Sequence, residues 1–342
     1  MGVLTGDRMK RRKSIAALLA LGASAAVPAR LARGQRSPAA FRIGFLFPSN
    51  PAMRGVFVAT MKDHGWVERR DFVIVQPEIA REASDPEAQA RRMLAEKPDL
   101  IITLGTARAL AAHRLTSTIP IVMWTSGYPV EAGLANSLAR PGKNVTGNTI
   151  YAGAAVWGKM VGLLRETKPD IKRVAALWGY SPPRFLRAEI DPAQEEIRQA
   201  ARVLGLSAHI TEYSRPEQLS GAVERIGNER SDALIIAGRA SLGDARGRVL
   251  RFAAERRMPT IVDSRWPASD DPYPLLAYGA SFELLMAQTV FYVDRILKGA
   301  RAADLPIQQP SKIELVVNLK TAKALGIKIP PSILLRAEWV IE

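Results

Sequence analysis

Hydroxyl-bearing residues follow several apolar runs of the sequence, at positions that suit the binding of an anion. Ser49 follows the first run, Thr106 follows the third, and Thr125 with Ser126 follows the fourth. A helix is predicted to begin at each place, and the first N–H groups of a helix have no partner within it, so they attract a carboxylate. The competing interpretation is that each hydroxyl only caps its own helix.

Arginine and aromatic side chains occupy comparable positions. Arg239 and Arg265 follow two later apolar runs, where a guanidinium could hold a carboxylate through two parallel hydrogen bonds or could form a solvated ion pair instead. Three aromatic residues at the ends of these runs, Trp124, Tyr128 and Tyr180, could enclose a planar ligand, although such residues also pack in cores. The predicted ligand-binding residues are Ser49, Asn50, Gly105, Thr106, Trp124, Thr125, Ser126, Tyr128, Tyr180, Ser181, Arg239, Asp263 and Arg265.

Patterns typical of catalysis or metal binding do not occur. His64, His113 and His209 have no second histidine or cysteine two to four residues away, which is the spacing that metal sites use. The chain also lacks a G-x-S-x-G elbow, a Walker loop and a G-x-G-x-x-G turn. We therefore expect a binding protein that is not an enzyme and that has no cofactor and no metal ion.

Short apolar runs alternate with amphipathic stretches of helical length from Phe41 onward. In the first round, strands are predicted at 41–47, 72–76, 99–104 and 119–124, and the last helix at 129–138. A second round begins at Arg173. Such alternation predicts parallel sheets with helices on both faces, so we expect an α/β fold of two doubly wound lobes. Ligands of such sheets bind at the carboxyl ends of the strands, which predicts a site in the cleft between the lobes.

Composition and charge narrow the function further. The 342 residues include no cysteine, which excludes disulfides, thiolate metal sites and a lipid-bearing cysteine. The net charge of +15 would suit a nucleic acid, but seven basic residues and one acid lie within residues 1–34, and the remainder carries +9. The remaining arginines are scattered and form no DNA-binding motif, so we expect no nucleic-acid partner.

The N-terminal residues have the composition of an export signal. A basic run at 10–13 precedes the apolar run at 15–22, and small residues follow. We expect residues 1–34 to be removed near Gln35, by Sec or twin-arginine export, leaving a periplasmic protein without a lipid anchor. A mitochondrial presequence or an amphipathic helix is the alternative interpretation.

An ordered set of short runs carries a resemblance to a known family. The runs are RIGFL from Arg42, GWVE from Gly65, PDLII from Pro98, IPIV from Ile119, SLARPGKNVTG from Ser137, AYGAS from Ala277, and the block from Leu305 to Gly326 that continues through Ile329-Pro-Pro. In these runs the chain resembles the substrate-binding proteins of ABC transporters with the type I periplasmic-binding fold. Within that family it is similar to the branch related to tryptophan-binding lipoproteins.

The resemblance implies two lobes that are joined by three crossovers and close on a small ligand. It implies an N-terminal lobe of residues 35–147 and 279–305, completed by a helix at 282–298, and a C-terminal lobe of 148–278 and 306–342. The protein would be a monomer that delivers an amino acid or an aromatic or other organic acid to ABC permease subunits. A ligand sensor, a regulator core and an enzyme on the same scaffold remain alternatives.

Departures from the family pattern bear on the ligand. Many relatives carry an acid where this chain has Tyr128, an aspartate near Arg239, and an asparagine-rich loop in place of the run from Tyr180. Loss of acids with gain of arginine and tyrosine favours an anionic, aromatic ligand over one with a free amine.

The run SLARPGKNVTG admits three interpretations. Asn144-Val-Thr is formally a glycosylation acceptor, but an exported bacterial binding protein would rarely use it. Gly142-Lys143 lacks the spacing of a phosphate-binding loop. We therefore interpret the run as a helix end followed by the first crossover, and we expect Gly142, Gly147 and, at a later crossover, Gly279 to serve as hinges.

Overall fold

Two sheets organise the part of the chain that this computed structural model describes, namely residues 40–78, 85–151, 153–179, 187–238, 243–265 and 274–342. The first sheet is wholly parallel, with strand order β2-β1-β3-β4-β5. Its strands are β1 (Phe41–Leu46), β2 (Phe72–Val75), β3 (Leu100–Leu104), β4 (Ile121–Thr125) and β5 (Val145–Gly147).

The second sheet has seven strands in the order β12-β11-β10-β9-β8-β6-β7. Its strands are β6 (Arg173–Gly179), β7 (Ser207–Tyr213), β8 (Ala233–Gly238), β9 (Thr260–Arg265), β10 (Leu276–Ser281), β11 (Glu314–Asn318) and β12 (Trp339–Ile341). All neighbours are parallel except β10 and β11, which are antiparallel. The antiparallel pairing of β10 and β11 departs from the predicted all-parallel arrangement. Between these two strands the chain passes through α8, which packs on the first sheet, and then returns to the second sheet.

Helices cover both faces of each sheet. They are α1 (Pro51–Asp63), α2 (Pro86–Ala95), α3 (Thr106–Leu115), α4 (Ala155–Thr167), α5 (Arg187–Val203), α6 (Leu219–Asn228), α7 (Gly243–Glu255), α8 (Phe282–Leu297), α9 (Leu319–Leu325) and α10 (Pro331–Leu334). Helices α1 and α8 share a buried core with one face of the first sheet, whereas α2 and α3 cover the other. Likewise, α4 and α5 cover one face of the second sheet, and α6 and α7 the other.

Local signals explain where several helices begin. Asp85 accepts hydrogen bonds from the N–H groups of Glu87 and Ala88, both at 3.0 Å, so it caps α2 as its position before Pro86 predicts. Ser281 accepts from the N–H of Leu284 at 3.3 Å and caps α8. The predicted α/β fold with two doubly wound sheets is confirmed.

The helix predicted at 129–138 is wrong. The segment forms successive turns, in which the N–H groups of Leu134 and Ala135 both donate to the carbonyl of Pro129. Gly133 adopts φ +73°, which an α-helix cannot include. Sequence analysis also missed β5 and α4, since three residues are too few for a period-2 pattern and α4 follows the crossover without a side-chain cap.

Candidate functional site

The start of α3 is the most open helix terminus at the carboxyl edge of the first sheet. Gly105 stands at the cap position with φ +85°, and no side chain of the described residues caps this helix. The Thr106 hydroxyl instead accepts the N–H of Gly127 at 3.0 Å and shares a hydrogen bond with Ser126 Oγ, also at 3.0 Å. This arrangement fixes the loop after β4 beside the α3 terminus, and it leaves that terminus able to bind a carboxylate.

Arg108 adds a cation that sequence analysis missed. It lies half-buried in the first turn of α3, where its Nε donates to Gln89 Oε1 at 2.8 Å. An arginine in the first turn of a helix that follows a strand could contact a carboxylate bound at that terminus, and this position is the signal that could have identified the residue. The prediction considered only arginines directly after strands, so it passed over one inside a helix.

The α1 terminus supports the alternative capping interpretation. Asn50 Oδ1 accepts the N–H of Met53 at 3.1 Å, so the Asn50 side chain is engaged in capping. Ser49, one residue earlier, is exposed to solvent at the same edge of the sheet. Asn50 therefore serves as the cap of α1, whereas Ser49 is exposed. Contact of either residue with a ligand stays a prediction.

Trp124, a predicted ligand contact, has its ring in the core, and its contact with a ligand stays a prediction. Only 1% of the residue is exposed, and its Nε1 donates to the carbonyl of Phe282 at 3.0 Å. Its ring centroid lies 5.2 Å from that of Phe47 and 5.5 Å from that of Phe282. The neighbouring Thr125 and Ser126 are also buried, and Ser126 reaches the site through the hydroxyl pair with Thr106.

Two glycines and an acid form the described carboxyl edge of the second sheet. Gly179 and Gly238 pair in register at the ends of β6 and β8. A methyl group on Gly238 would lie 2.3 Å from the Gly179 carbonyl oxygen, so this position requires glycine. Asp263 Oδ2 accepts the N–H of Gly238 at 2.9 Å, which fixes the acid across the end of β8.

The remaining predicted ligand contacts follow the same edge. Tyr180, Ser181 and Arg239 lie outside the described residues. Arg265 ends β9, and its side chain is likewise outside the described part of the chain. Tyr180 and Arg239 directly follow β6 and β8, and Arg265 ends β9. Contact of these residues with a ligand stays a prediction.

Three crossovers connect the sheets. The first spans 148–154, the second passes directly from β10 into α8 at Ser281, and the third spans 305–313. The first and third are paired, since the N–H of Thr149 donates to Gln308 O at 2.8 Å and Gln308 N–H donates to Gly147 O at 3.0 Å. Burial raises the pKa of the Tyr292 phenol, which donates to Pro306 O at 3.0 Å and fastens the third crossover to α8.

Buried polar contacts join the first crossover to the second. Asn148 has no exposed surface, and its Nδ2 donates to Leu285 O and to Thr289 Oγ1, each at 3.1 Å. A buried amide keeps these partners only in one arrangement, because an unpaired buried polar group is costly. The base of the crossovers is therefore held together by buried hydrogen bonds.

The predicted hinge glycines lie in or beside this hydrogen-bonded base. Gly142 precedes β5, and its N–H donates to Ala303 O at 3.0 Å. Gly147 ends β5, where an added methyl group would lie 2.3 Å from Met123 O, and Gly279 lies inside β10, where one would lie 2.0 Å from Asp263 O. Gly153, with φ +93° and no atom within 4 Å of an added methyl group, has the free space that the other three lack. A hinge role for Gly142, Gly147 and Gly279 stays a prediction.

Hydrogen bonds join the run SLARPGKNVTG, at the edge of the first sheet, to the third crossover. Leu138 O accepts the N–H of Ile307 at 2.7 Å, and Thr146 Oγ1 donates to Leu305 O at 2.7 Å. Asn144 Nδ2 donates to Thr116 O at 2.9 Å and to Ile119 O at 2.8 Å. The Asn144 side chain is therefore engaged with main-chain carbonyls, which argues against its use as a glycosylation acceptor.

A cavity of about 500 Å³ lies at the opposite, amino edge of the first sheet. Asp99, Pro120 and Asn144, which line it, directly precede β3, β4 and β5. Parallel sheets bind ligands beyond the carboxyl ends of their strands, so we place the site at the α3 edge and not in this cavity.

Metal and membrane features complete the description. Among the described residues, no group of three or more histidine, cysteine, aspartate or glutamate side chains is arranged to hold a metal ion. In the same residues, no helix is both long and apolar enough to cross a membrane.

Comparison with known proteins agrees with this architecture. Residues 47–341 match the protein family described as ABC transporter substrate binding protein. A curated relative, the tyrosine-binding protein of Clostridioides difficile strain R20291, is 24% identical over 281 residues, which is 82% of this chain and 78% of the relative.

Solved structures match over most of their length. A conserved domain protein from Vibrio cholerae O1 biovar eltor has a TM-score of 0.74 and 24% identity, over 88% of this chain and 99% of its own. The ABC domain of Streptococcus pneumoniae in complex with L-Trp has a TM-score of 0.73 and 24% identity, over 89% of this chain and 100% of its own. The fold is therefore the type I periplasmic-binding fold.

Proposed function

Since the chain belongs to the family of ABC transporter substrate binding proteins, we propose that it binds a small aromatic carboxylate between its two sheets and delivers it to the permease of an import system. Membership of this family makes it a binding protein and not an enzyme. The proposal includes export to the periplasm after removal of residues 1–34, without a lipid anchor.

The observation that carries the proposal is the α3 terminus. Its first N–H groups, without a side-chain cap among the described residues, lie beside the paired hydroxyls of Thr106 and Ser126. Arg108 brings a positive charge to the same turn. Backbone N–H groups, hydroxyls and a cation together form a favourable environment for a carboxylate, and the half-buried Tyr128 ring follows directly.

Ligand-driven closure follows from a site divided between two sheets. A ligand that contacts both sheets binds the closed arrangement more tightly and therefore shifts the population towards it. The second sheet would contribute Arg239 and Arg265, with the Asp263 carboxylate already engaged by the N–H of Gly238. A shift from mostly open to mostly closed requires about 5.5 kcal/mol of differential affinity. A charge-assisted contact and one buried ring are of that order.

The relatives named for their ligands suggest which carboxylates to test. One is a tyrosine-binding protein, and another was solved with L-Trp. Both ligands combine a ring with a carboxylate, but they also carry an amine. The loss of acidic residues at the positions of Tyr128 and Arg239 predicts that this chain does not require the amine.

We expect 3-(4-hydroxyphenyl)propionate to bind at least as tightly as L-tyrosine, which differs from it by the amine. A ligand that binds only the folded state raises the melting temperature, so a thermal-shift titration followed by calorimetry measures both affinities. Tight binding of L-tyrosine without measurable binding of its des-amino analogue would contradict the anionic proposal. Binding of neither compound would contradict the proposed ligand class.

Replacing Arg239 with alanine should weaken binding of 3-(4-hydroxyphenyl)propionate by about tenfold to a hundredfold, because a hydrogen bond to a charged group contributes about 1.5–3 kcal/mol. The melting temperature without ligand should stay unchanged. The matched control is Arg91→Ala, which removes an exposed arginine from the outer face of α2. Equal affinities of the Arg239 variant and the unmodified protein would remove Arg239 from the site.

A further inference from the structure

Two tyrosine rings meet beside the α3 terminus, and one of them belongs to a crossover. The ring centroids of Tyr128 and Tyr151 lie 4.6 Å apart, with 44° between the ring planes. Tyr128 is three residues beyond β4, and Tyr151 is four residues beyond β5, so both follow the carboxyl ends of adjacent parallel strands. Both residues are half-buried, which leaves part of each side chain accessible to a ligand.

Hydrogen bonds hold the crossover residue in this position. The N–H of Ile150 donates to Ser126 O at 2.8 Å, and Thr149 Oγ1 donates to Gly127 O at 2.7 Å. The N–H of Tyr151 in turn donates to Thr149 Oγ1 at 3.1 Å. The chain from 148 to 151 is thus fastened along the loop after β4, and these hydrogen bonds hold Tyr151 beside Tyr128.

The same loop connects the rings to the carboxylate site. The N–H of Gly127, directly before Tyr128, donates to the Thr106 hydroxyl at the α3 terminus. A carboxylate bound at that terminus therefore places the rest of a short ligand near the Tyr128 ring. Trp124, which sequence analysis expected to enclose a planar ligand, is in the core and is only 1% exposed.

We propose that Tyr151 is a specificity-determining residue, which together with Tyr128 forms an aromatic wall that selects ligands with an aromatic ring. The inference rests on the proposed function, because it assigns the ring-binding part of the same site. Tilted aromatic rings at this separation interact favourably with a third ring in an offset or edge-to-face arrangement. A saturated ring of similar size is also buried on binding, but it lacks this interaction between aromatic rings.

A pair of probes isolates the effect. 3-Phenylpropionate and 3-cyclohexylpropionate carry the same carboxylate on the same chain, and they differ only in whether the ring is aromatic. Calorimetric Kd values of the unmodified protein should favour 3-phenylpropionate by about threefold to tenfold, which corresponds to the usual aromatic contribution. Tyr151→Leu should reduce this preference to near unity, whereas Tyr151→Phe should retain it.

Controls separate this inference from the proposed function and from misfolding. Phe291→Leu, on the outer face of α8 where 37% of the residue is exposed, should leave both Kd values unchanged. Tyr151→Met provides a second variant without a ring, and an unchanged melting temperature without ligand shows that either variant is folded. A full preference for 3-phenylpropionate in both ring-free variants would overturn the role of Tyr151 alone. If the unmodified protein binds neither probe, the proposed ligand class and this inference both fall.

Discussion

Replacement of Gly147 by alanine should lower the free energy of unfolding by more than about 3 kcal/mol. The residue has φ +119°, which side chains rarely adopt, and the added methyl group would lie 2.3 Å from Met123 O and 2.5 Å from Met123 N. These are main-chain atoms of β4, so they cannot move away without breaking the pairing of β4 and β5. Backbone strain and overpacking each cost about 1–3 kcal/mol. Urea unfolding measures the change.

Gly133→Ala is the matched control for this substitution. Gly133 also has positive φ, at +73°, but no atom lies within 4 Å of the added methyl group. Its replacement should cost about 1–2 kcal/mol, because an L-residue with a side chain is strained in the left-handed conformation. A Gly147 variant as stable as the Gly133 variant would show that β5 yields easily, and it would support the expected hinge at Gly147.

Truncation of Trp124 to alanine should destabilise the protein by about 3–5 kcal/mol, as is typical for a buried aromatic residue. The ring is 1% exposed between Phe47 and Phe282, and the variant would also leave the Phe282 carbonyl without the indole N–H. Trp124→Phe, which keeps a ring but removes the N–H, should cost about half as much. Urea unfolding of the three proteins provides the comparison.

Measurement of ligand affinity tests whether Trp124 acts only in the core or also contacts the ligand, as the sequence predicts. At a urea concentration where each variant is folded, we expect Trp124→Phe to bind 3-(4-hydroxyphenyl)propionate with an affinity within about threefold of the unmodified protein. A large loss of affinity with little loss of stability would instead return Trp124 to the site. The indole lies beneath the loop after β4, so its effect on the ligand is indirect.

The proposed closure of the two sheets on a ligand does not require the chain to bend at every predicted hinge glycine. Asn148, Thr149 and Gln308 hold the first and third crossovers together at their base. Gly153, with φ +93° and open space around it, lies on the far side of this base. If the sheets close on a ligand as we propose, the hydrogen bonds at this base would allow the loop after β4 and the ring of Tyr151 to keep their geometry in both states.

Local patterns in the sequence were sufficient for most of the fold. Alternation of apolar runs with amphipathic helices, together with caps such as Asp85, predicted the two sheets and most of their elements. These signals act within a few residues, and so they can be interpreted without knowledge of the partners. The hydroxyl-bearing residues predicted after strands include Thr106 and Ser126, which form a hydrogen bond with each other, and their role in ligand binding stays a prediction.

Only the tertiary structure decided which side chains meet. Trp124 lies next to the end of β4, where a ligand contact was predicted, yet it packs against Phe282, which is 158 residues away in sequence. Gly147 is confined by Met123, and Tyr151 meets Tyr128 because crossover and loop follow adjacent strands. A residue's type and position within a strand are local properties. Its burial and its neighbours depend on segments that folding brings together from distant parts of the chain.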